Sequence, residues 1–380
     1  MKLLLNALGI QDSGGVTVLE KVLQECTQEA NNHYLIICND NKNIRLLVEK
    51  YRDISYLVFK TVELKSFLHR LYYENVTFRK LIKKESIDLV YNFSGSAQFF
   101  SKIPQITKIQ NLLFYCKKID ALYFKNKQYI LWLKQIFLRR VVFHAMLRQT
   151  KYVEIQSAHV KEQIADFMDI SDKQFFVKSD IDVSMQLFCH PKEYDWSRKI
   201  NFLYIVGPHF EYLHKNFIDF TNAMMKLREL NINFEISVTL TKEQLHNSSI
   251  WNRDLDERTN FLGYINTREE AENIFTDNTI LVSTSVIETL GLHVVEAVQN
   301  GILAISPEET YAKSVYGDHV LSYKLFDMNS LVDVIQRIVL LDNNDITDTI
   351  LKNQQYLIKN ENSKYHSIIN IFEKVAHVQK

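Results

Sequence analysis

Short apolar, β-branched runs alternate with amphipathic stretches of helical period along most of this chain. That alternation constrains the fold more than any other feature of the sequence. A strand buried on both faces reads as a continuous apolar run, and the helix that returns the chain reads with period 3.6. Repeated strand–helix units build a parallel sheet covered by helices, so the expected class is α/β. In the first half, strands are predicted at residues 3–7, 34–38, 87–93, 105–109 and 152–156, with the first helix from about residue 16 to 29.

The alternation then restarts. Strands are predicted at 202–206, 234–240, 279–283 and 302–305, and helices at 216–230, 268–275, 292–300 and 328–341. A length of 380 residues is more than one ordinary domain needs, so the restart marks a second one. The periodicity breaks between Asp180 and Lys199, around Cys189-His190-Pro191-Lys192. The expected domains are therefore 1–182 and 198–360. A last helix at 363–380, apolar at Ile368, Ile369, Ile371, Phe372 and Val375, is expected to pack back on the first. Two facing open sheets place their strand carboxyl ends around a cleft, and ligands bind at such ends. The loops just after strands are where chemistry is to be sought.

One such loop stands out. Residues 281–301 run strand, loop, helix and glycine stop, with Glu288 in the loop and Glu296 early in the helix. Gly291 sits where the helix opens, so backbone can approach a ligand closely. Free N–H groups of Leu290, Gly291 and Leu292 at a helix start suit a diphosphate. Glu296 is placed to accept from the two hydroxyls of a ribose, and Glu288 from a sugar hydroxyl near the reacting carbon. Spacing alone fits a plainer reading equally well, in which Ser285 and Glu288 form a capping box and Glu296 is solvated. The order of elements is more specific than the spacing.

This run resembles the Glu-x7-Glu signature of glycosyltransferase family 4, at Ser285, Glu288, Gly291, Leu292, Glu296, Ala297 and Gly301. It departs at Thr289 and His293, where glycine and proline are common in the family, while Leu290 stands where phenylalanine or leucine is common. The resemblance implies a GT-B fold and a retaining transferase. It also implies that Glu288 lies beside the donor sugar and Glu296 on the ribose of the nucleotide.

Three weaker matches extend the resemblance. Gly14 and Gly15, in the loop 12–16 after the first strand, match a Gly-Gly that approaches the donor diphosphate; simple turn chemistry is the alternative. Lys215 matches a lysine that binds the diphosphate, while Pro208 stands where the family has an arginine. A cation there matters because charge builds on the leaving phosphate as the bond breaks. Gly263 and Tyr264, in the strand-like 261–265, match a segment whose backbone reads the base. Asp180-Ile-Asp182 is a D-x-D of the kind that binds metal in another glycosyltransferase fold, but it matches the family's interdomain linker. No His/Cys cluster has metal-ligand spacing, so metal-independent chemistry without a cofactor is expected.

Net charge is zero, which argues against nucleic acid as a partner, yet the stretch 108–151 carries ten Lys or Arg and one acid, Asp120. Aromatics are interleaved with these cations. This composition suits peripheral docking on an anionic inner-membrane surface, and equally a half-buried helix with a basic polar face. Cys26, Cys38, Cys116 and Cys189 form no CxxC pair, so reduced thiols in a cytoplasmic compartment are the simple expectation.

The expected activity is transfer of a sugar from a UDP- or GDP-linked donor to a glycan or lipid-linked acceptor in cell-surface polysaccharide synthesis. Glu288 and Lys215 would carry the chemistry. The alternatives are a sugar-nucleotide epimerase, for which no first-domain acid/base pair is located, and a non-catalytic glycan-binding or partner protein, which the missing arginine keeps open. A nicotinamide dehydrogenase is disfavoured because neither first strand is followed by G-x-G-x-x-G.

Overall fold

The computed structural model of the chain describes residues 1–10, 13–265, 270, 273–360 and 367–377. It divides into two compact units. Unit 1 comprises Met1–Tyr115, Gln128–Asp180 and Asn362–Lys380, and unit 2 comprises Cys116–Lys127 and Ile181–Glu361.

Among the described residues, seven parallel strands form the sheet of unit 1. They are β1 (Lys2–Ala7), β2 (His33–Asn39), β3 (Leu57–Val62), β4 (Leu89–Asn92), β5 (Gln105–Ile109), β6 (Tyr152–Ile155) and β7 (Gln174–Val177), in the order β3-β2-β1-β4-β5-β6-β7. The central strands β1, β4 and β5 are almost wholly buried on both faces, although β5 carries Gln105, Thr107 and Lys108 there. The helix Ser13–Thr27 begins earlier than the sequence suggested, so Gly14 and Gly15 lie in its first turn and not in a loop. The helix Ile368–His377 packs against it and buries Ile368, Ile369, Ile371, Phe372 and Val375. Each such side chain contributes about 1.5–3 kcal/mol relative to exposure. Phe372 meets Tyr91 edge to face, with ring centres 5.2 Å apart.

Unit 2 has six parallel strands among the described residues. They are β8 (Ile200–Tyr204), β9 (Phe234–Val238), β10 (Thr259–Phe261), β11 (Thr279–Val282), β12 (Leu303–Pro307) and β13 (Leu321–Tyr323), in the order β10-β9-β8-β11-β12-β13. Residues 268, 269, 271 and 272 of the predicted helix 268–275 lie outside those described, and 273–275 are not helical. The segment 261–265 is not a strand, because β10 ends at Phe261 and Gly263 has φ +69°. In both units the order reverses about the first strand, at β1/β4 and at β8/β11. Ligands of open parallel sheets bind outside the strand carboxyl ends at such switch points.

The stretch 108–151 is not one surface. Lys108 is fully buried on β5, where its ammonium lies 2.7 Å from Glu154 and 2.8 Å from Asp180. Burial alone would lower the lysine's pKa, but these two carboxylates override it and raise the value. Asp180, the first residue of the D-x-D, spends its oxygens on Lys108 and on Gln156, 2.6 Å away. Phe114, Tyr115, Tyr123 and Phe143 are buried, and Lys118 pairs with Glu309 within unit 2. Phe124, Lys125 and Lys127 are exposed in unit 2, and the helical stretch from Tyr129 onward presents a face to solvent in unit 1. Tyr129, Ile130, Leu131, Leu133, Phe137, Leu138 and Val141 are all exposed there, Ile130 by 70%. Cys26, Cys38, Cys116 and Cys189 are all free thiols, and burial pushes Cys38 up to about 12.

Candidate active site

The loops that follow β8 and β11 meet at the switch point of unit 2. After β8 the chain runs through exposed Gly207, Pro208 and His209, then makes the 3-10 turn Leu213–Lys215. Asn216 takes a left-handed conformation, φ 47°, before the helix Phe217–Glu229. After β11 the chain runs through residues 283–290 to Gly291, which is also left-handed at φ 55° and caps the helix Leu292–Gln299.

Backbone and hydroxyl contacts knit the two loops. Val286 N donates to His214 O at 2.7 Å, and Thr284 Oγ1 to Lys215 O at 2.8 Å. The buried Tyr204 hydroxyl lies 2.7 Å from Thr284 Oγ1 and donates to Lys215 O at 3.2 Å. Behind the second loop, Tyr311 donates to Ser285 O at 2.6 Å and Tyr316 to Gly291 O at 3.3 Å. Buried hydroxyls that satisfy loop carbonyls fix the loops in place.

This framework brings Lys215 and Glu288 together, with Lys215 Nζ 2.7 Å from Glu288 Oε1. The lysine side chain is 28% exposed and the glutamate 18%. Burial works to raise the Glu288 pKa, but the Lys215 charge, His293 and hydrogen bonds from Lys215 and Ser285 bring it down to about 2. Glu288 is therefore ionised across the physiological range. Ser285 bonds this carboxylate and does not form the capping box of the plainer reading, since the helix starts only at Leu292.

His293 lies on the other side, its Nε2 2.9 Å from Ser283 Oγ. Burial, above all, lowers His293 from 6.5 to about 4; Glu288 opposes this and Lys215 adds to it. His214 also falls to about 4, through burial and then the Lys215 charge, with His209 adding and Glu288 opposing. Both imidazoles are neutral at pH 7. In the unfolded chain they bind protons near 6.5, and in the folded one only near 4. Stability from this difference is thus complete above about 6.5 and is lost as pH falls toward 4. The thermal midpoint is expected to drop between pH 7 and 5, and His293→Gln to flatten that drop. Identical pH slopes for the wild type and His293→Gln would show that this histidine carries none of it.

Among the described residues, no group accepts a hydrogen bond from the N–H of Leu290, Gly291 or Leu292. These donors open a helix beside Glu288, where an anion is favoured. Glu296 lies one turn further along, on the exposed side of the helix. Gly263 N donates to Leu240 O at 3.3 Å, and Tyr264 is half exposed. Gly14 and Gly15 belong to unit 1, and a Cβ at Gly14 would meet nothing within 4 Å.

Tyr204, Thr284, Tyr311, Tyr316 and the Ser283–His293 pair were not foreseen. Local pattern carries no sign of them, because each acts across 10 or more residues. A cavity of about 330 Å³ in unit 1, lined in part by Gln105, Lys151 and Tyr152, opens at the amino ends of β5 and β6. That is the end of the sheet where such folds do not hold ligands. Among the described residues, no group of three His, Cys, Asp or Glu side chains is arranged to hold a metal ion.

Residues 192–362 match the family model of the glycosyl transferases group 1. The match takes in β8, β11, Lys215, Glu288 and the helix after Gly291, and it spans most of unit 2. A search of curated protein sequences found no significant match. Solved structures resemble the whole chain. HepE of Anabaena, determined with UDP and glucose, has a TM-score of 0.64 at 13% identity, covering 100% of this chain and 99% of its own. The sucrose-phosphate synthase of Thermosynechococcus elongatus has 0.66 at 14% identity, with coverages of 100% and 97%. The lipopolysaccharide outer core galactosyltransferase WaaB, in its apo form, has 0.58 at 17%, with coverages of 98% and 100%. The architecture is GT-B, with two Rossmann-like units.

Proposed function

We propose that the chain is a retaining glycosyltransferase using a UDP- or GDP-linked sugar, and that its acceptor is a glycan or lipid-linked saccharide of cell-surface polysaccharide synthesis. The Lys215–Glu288 pair at the switch point of unit 2, within the stretch matching the group 1 model, is the observation that carries this reading. The donor diphosphate occupies the open N–H groups at Leu290, Gly291 and Leu292, and Lys215 turns from Glu288 to a phosphate oxygen. Negative charge grows on that phosphate as the sugar leaves, so fixed donors there lower the barrier. Glu288 stays ionised beside the sugar, and Glu296 takes the ribose hydroxyls. Gly263 and Tyr264 flank the base. Gly14 and Gly15 are the remaining proposed diphosphate-binding residues. The acceptor attacks on the face the leaving group vacates, and a phosphate oxygen takes its proton.

A thermal-shift panel of UDP, GDP, ADP, CDP and NAD, without added metal, tests the donor site. A ligand at a hundred times its dissociation constant adds about 2.7 kcal/mol, enough to raise the midpoint by a few degrees. One nucleoside diphosphate is expected to do so, and Glu296→Ala to abolish the shift. A flat response to all of them at millimolar concentration would favour the non-catalytic alternative, for which exposed Pro208 in place of an arginine is the supporting observation.

The exposed apolar face from Tyr129 to Val141, with Lys134 and Arg139 also exposed, supports docking on an anionic membrane surface. No helix among the described residues is long and apolar enough to cross a membrane. Sedimentation with vesicles containing phosphatidylglycerol is expected to carry the protein down at low salt. The double substitution Ile130→Asp with Leu138→Asp is expected to weaken that binding at least about tenfold, since burying each side chain is worth about 1.5–3 kcal/mol. Undiminished binding of the variant would exclude this face.

A further inference from the structure

The switch point of unit 1, between β1 and β4, holds a polar cluster that the transferase reading does not use. Its anchor is Glu74, on the π-helical turn Tyr73–Thr77 that joins the helices Phe67–Tyr72 and Phe78–Glu85. Single π-turns inside helices recur at functional sites. Glu74 is 1% exposed. Its Oε1 accepts from Asn6 Nδ2 at 2.9 Å, from Ser96 Oγ at 2.8 Å and from Arg70 Nε at 2.9 Å. Asn6 also donates to Asn92 Oδ1 at 3.1 Å. Asn6 lies near the carboxyl end of β1 and Asn92 ends β4, so the carboxylate is tied to both strands of the switch point. Glu74 Oε2 is buried with no partner, an arrangement that stability alone does not favour.

What this cluster holds is Arg70. Its Nη2 donates to Ser94 Oγ at 3.2 Å, and the guanidinium lies across Gly9. A Cβ at Gly9 would stand 2.4 Å from Arg70 Nη1 and 2.3 Å from Ser94 Oγ. Only glycine leaves room there. The guanidinium thus bridges the loops after β1 and β4, with its side chain 12% exposed and its Nη1 making no hydrogen bond to the described residues. A planar cation fixed at strand carboxyl ends with donors to spare is suited to bidentate contact with an anion.

We propose that Arg70 is an anion-binding residue of unit 1 that takes oxygens of a phosphate or diphosphate group. The choice of phosphate over other anions rests on the transferase reading; the anion site does not. Under that reading the group comes either from the donor diphosphate or from the phosphate of a lipid-linked acceptor.

Calorimetric titration of the full chain with inorganic pyrophosphate, UDP and uridine tests this. Arg70→Gln strands the buried Glu74 charge and risks unfolding, so two other variants carry the test. Gly9→Ala displaces the guanidinium without changing charge, and Arg70→Gln with Glu74→Gln removes both charges together. Both are expected to weaken pyrophosphate binding roughly 10- to 100-fold, as loss of charge-assisted hydrogen bonds does. Weakened UDP with unchanged uridine supports the proposal and assigns the donor diphosphate. Weakened pyrophosphate with unchanged UDP supports it and assigns the acceptor phosphate. Folded variants that bind both ligands as tightly as the wild type overturn it, as does a wild type that binds no pyrophosphate. If nucleoside diphosphates fail to bind while Arg70-dependent pyrophosphate binding persists, the transferase reading falls and this one stands.

Discussion

Glu288→Gln is expected to lower kcat by roughly 100- to 1,000-fold, the range seen when one preorganised charge-stabilising group is removed. The substitution keeps the shape and a hydrogen-bonding oxygen and removes only the charge. Its effect on KM should be small or favourable, because Lys215 no longer has to leave a carboxylate 2.7 Å away to meet a phosphate. A fall in kcat with KM unchanged or lower separates a group acting in the transition state from one that merely binds. Lys215→Ala should differ, raising KM as well as lowering kcat. The two residues touch, so the double variant should lose less than the product of the single losses. Steady-state kinetics with the nucleotide-sugar picked out by the ligand panel measures all of this. A Glu288→Gln enzyme within twofold of wild-type kcat would remove Glu288 from the chemistry.

Gly291→Ala is expected to cost at least about 2–3 kcal/mol of stability and to abolish the response to donor. Two causes act together. The residue has φ 55°, where a Cβ costs about 1–2 kcal/mol. That Cβ would also lie 1.8 Å from the buried Tyr316 hydroxyl, so one of the two must move. At 2–4 °C per kcal/mol for a domain of this size, the midpoint should fall by roughly 5–10 °C. Adding Tyr316→Phe removes the nearest atom and leaves the ring carbon at 3.1 Å, so it should restore part of the loss but not the backbone share. An unshifted melting curve for Gly291→Ala would mean that the loop accommodates a side chain and does not hold its N–H groups in one orientation.

How far the sequence revealed the fold depended on where each strand lies in its sheet. Interior strands such as β1, β4, β8 and β11 are mostly apolar and almost wholly buried, and their runs were readable within two residues. The strands that were missed or misplaced are β3, β7, β10 and β13, and they are the four edges of the two sheets. An edge strand is short and half exposed, so its pattern is diluted. β3 carries Lys60 and an exposed Val58, and β13 is three residues long. The site divided the same way. Glu288, Gly291 and Lys215 announced themselves because they sit in short loops with a fixed order of residue types. Tyr316, Tyr204 and His293 act through contacts between distant elements, which no local pattern records. The basic stretch 108–151 was legible only in part, because charge counted along the chain ignores burial, and Lys108 is enclosed by Glu154 and Asp180.

The helix Ile368–His377 bears on how the protein is made. It completes unit 1 by packing on Ser13–Thr27, yet it is synthesised after all of unit 2. At translation rates of about 5–20 residues per second, the first sheet waits on the order of ten seconds or more between its last strand and its closing helix. During that time the faces of Ser13–Thr27 and Tyr91 that will meet Phe372 stay uncovered. Unit 2, whose segments are complete by Glu361, can close first. The ribosome therefore delivers a finished unit 2 attached to an open unit 1, and the nascent chain is most exposed to chaperones and proteases through its oldest residues.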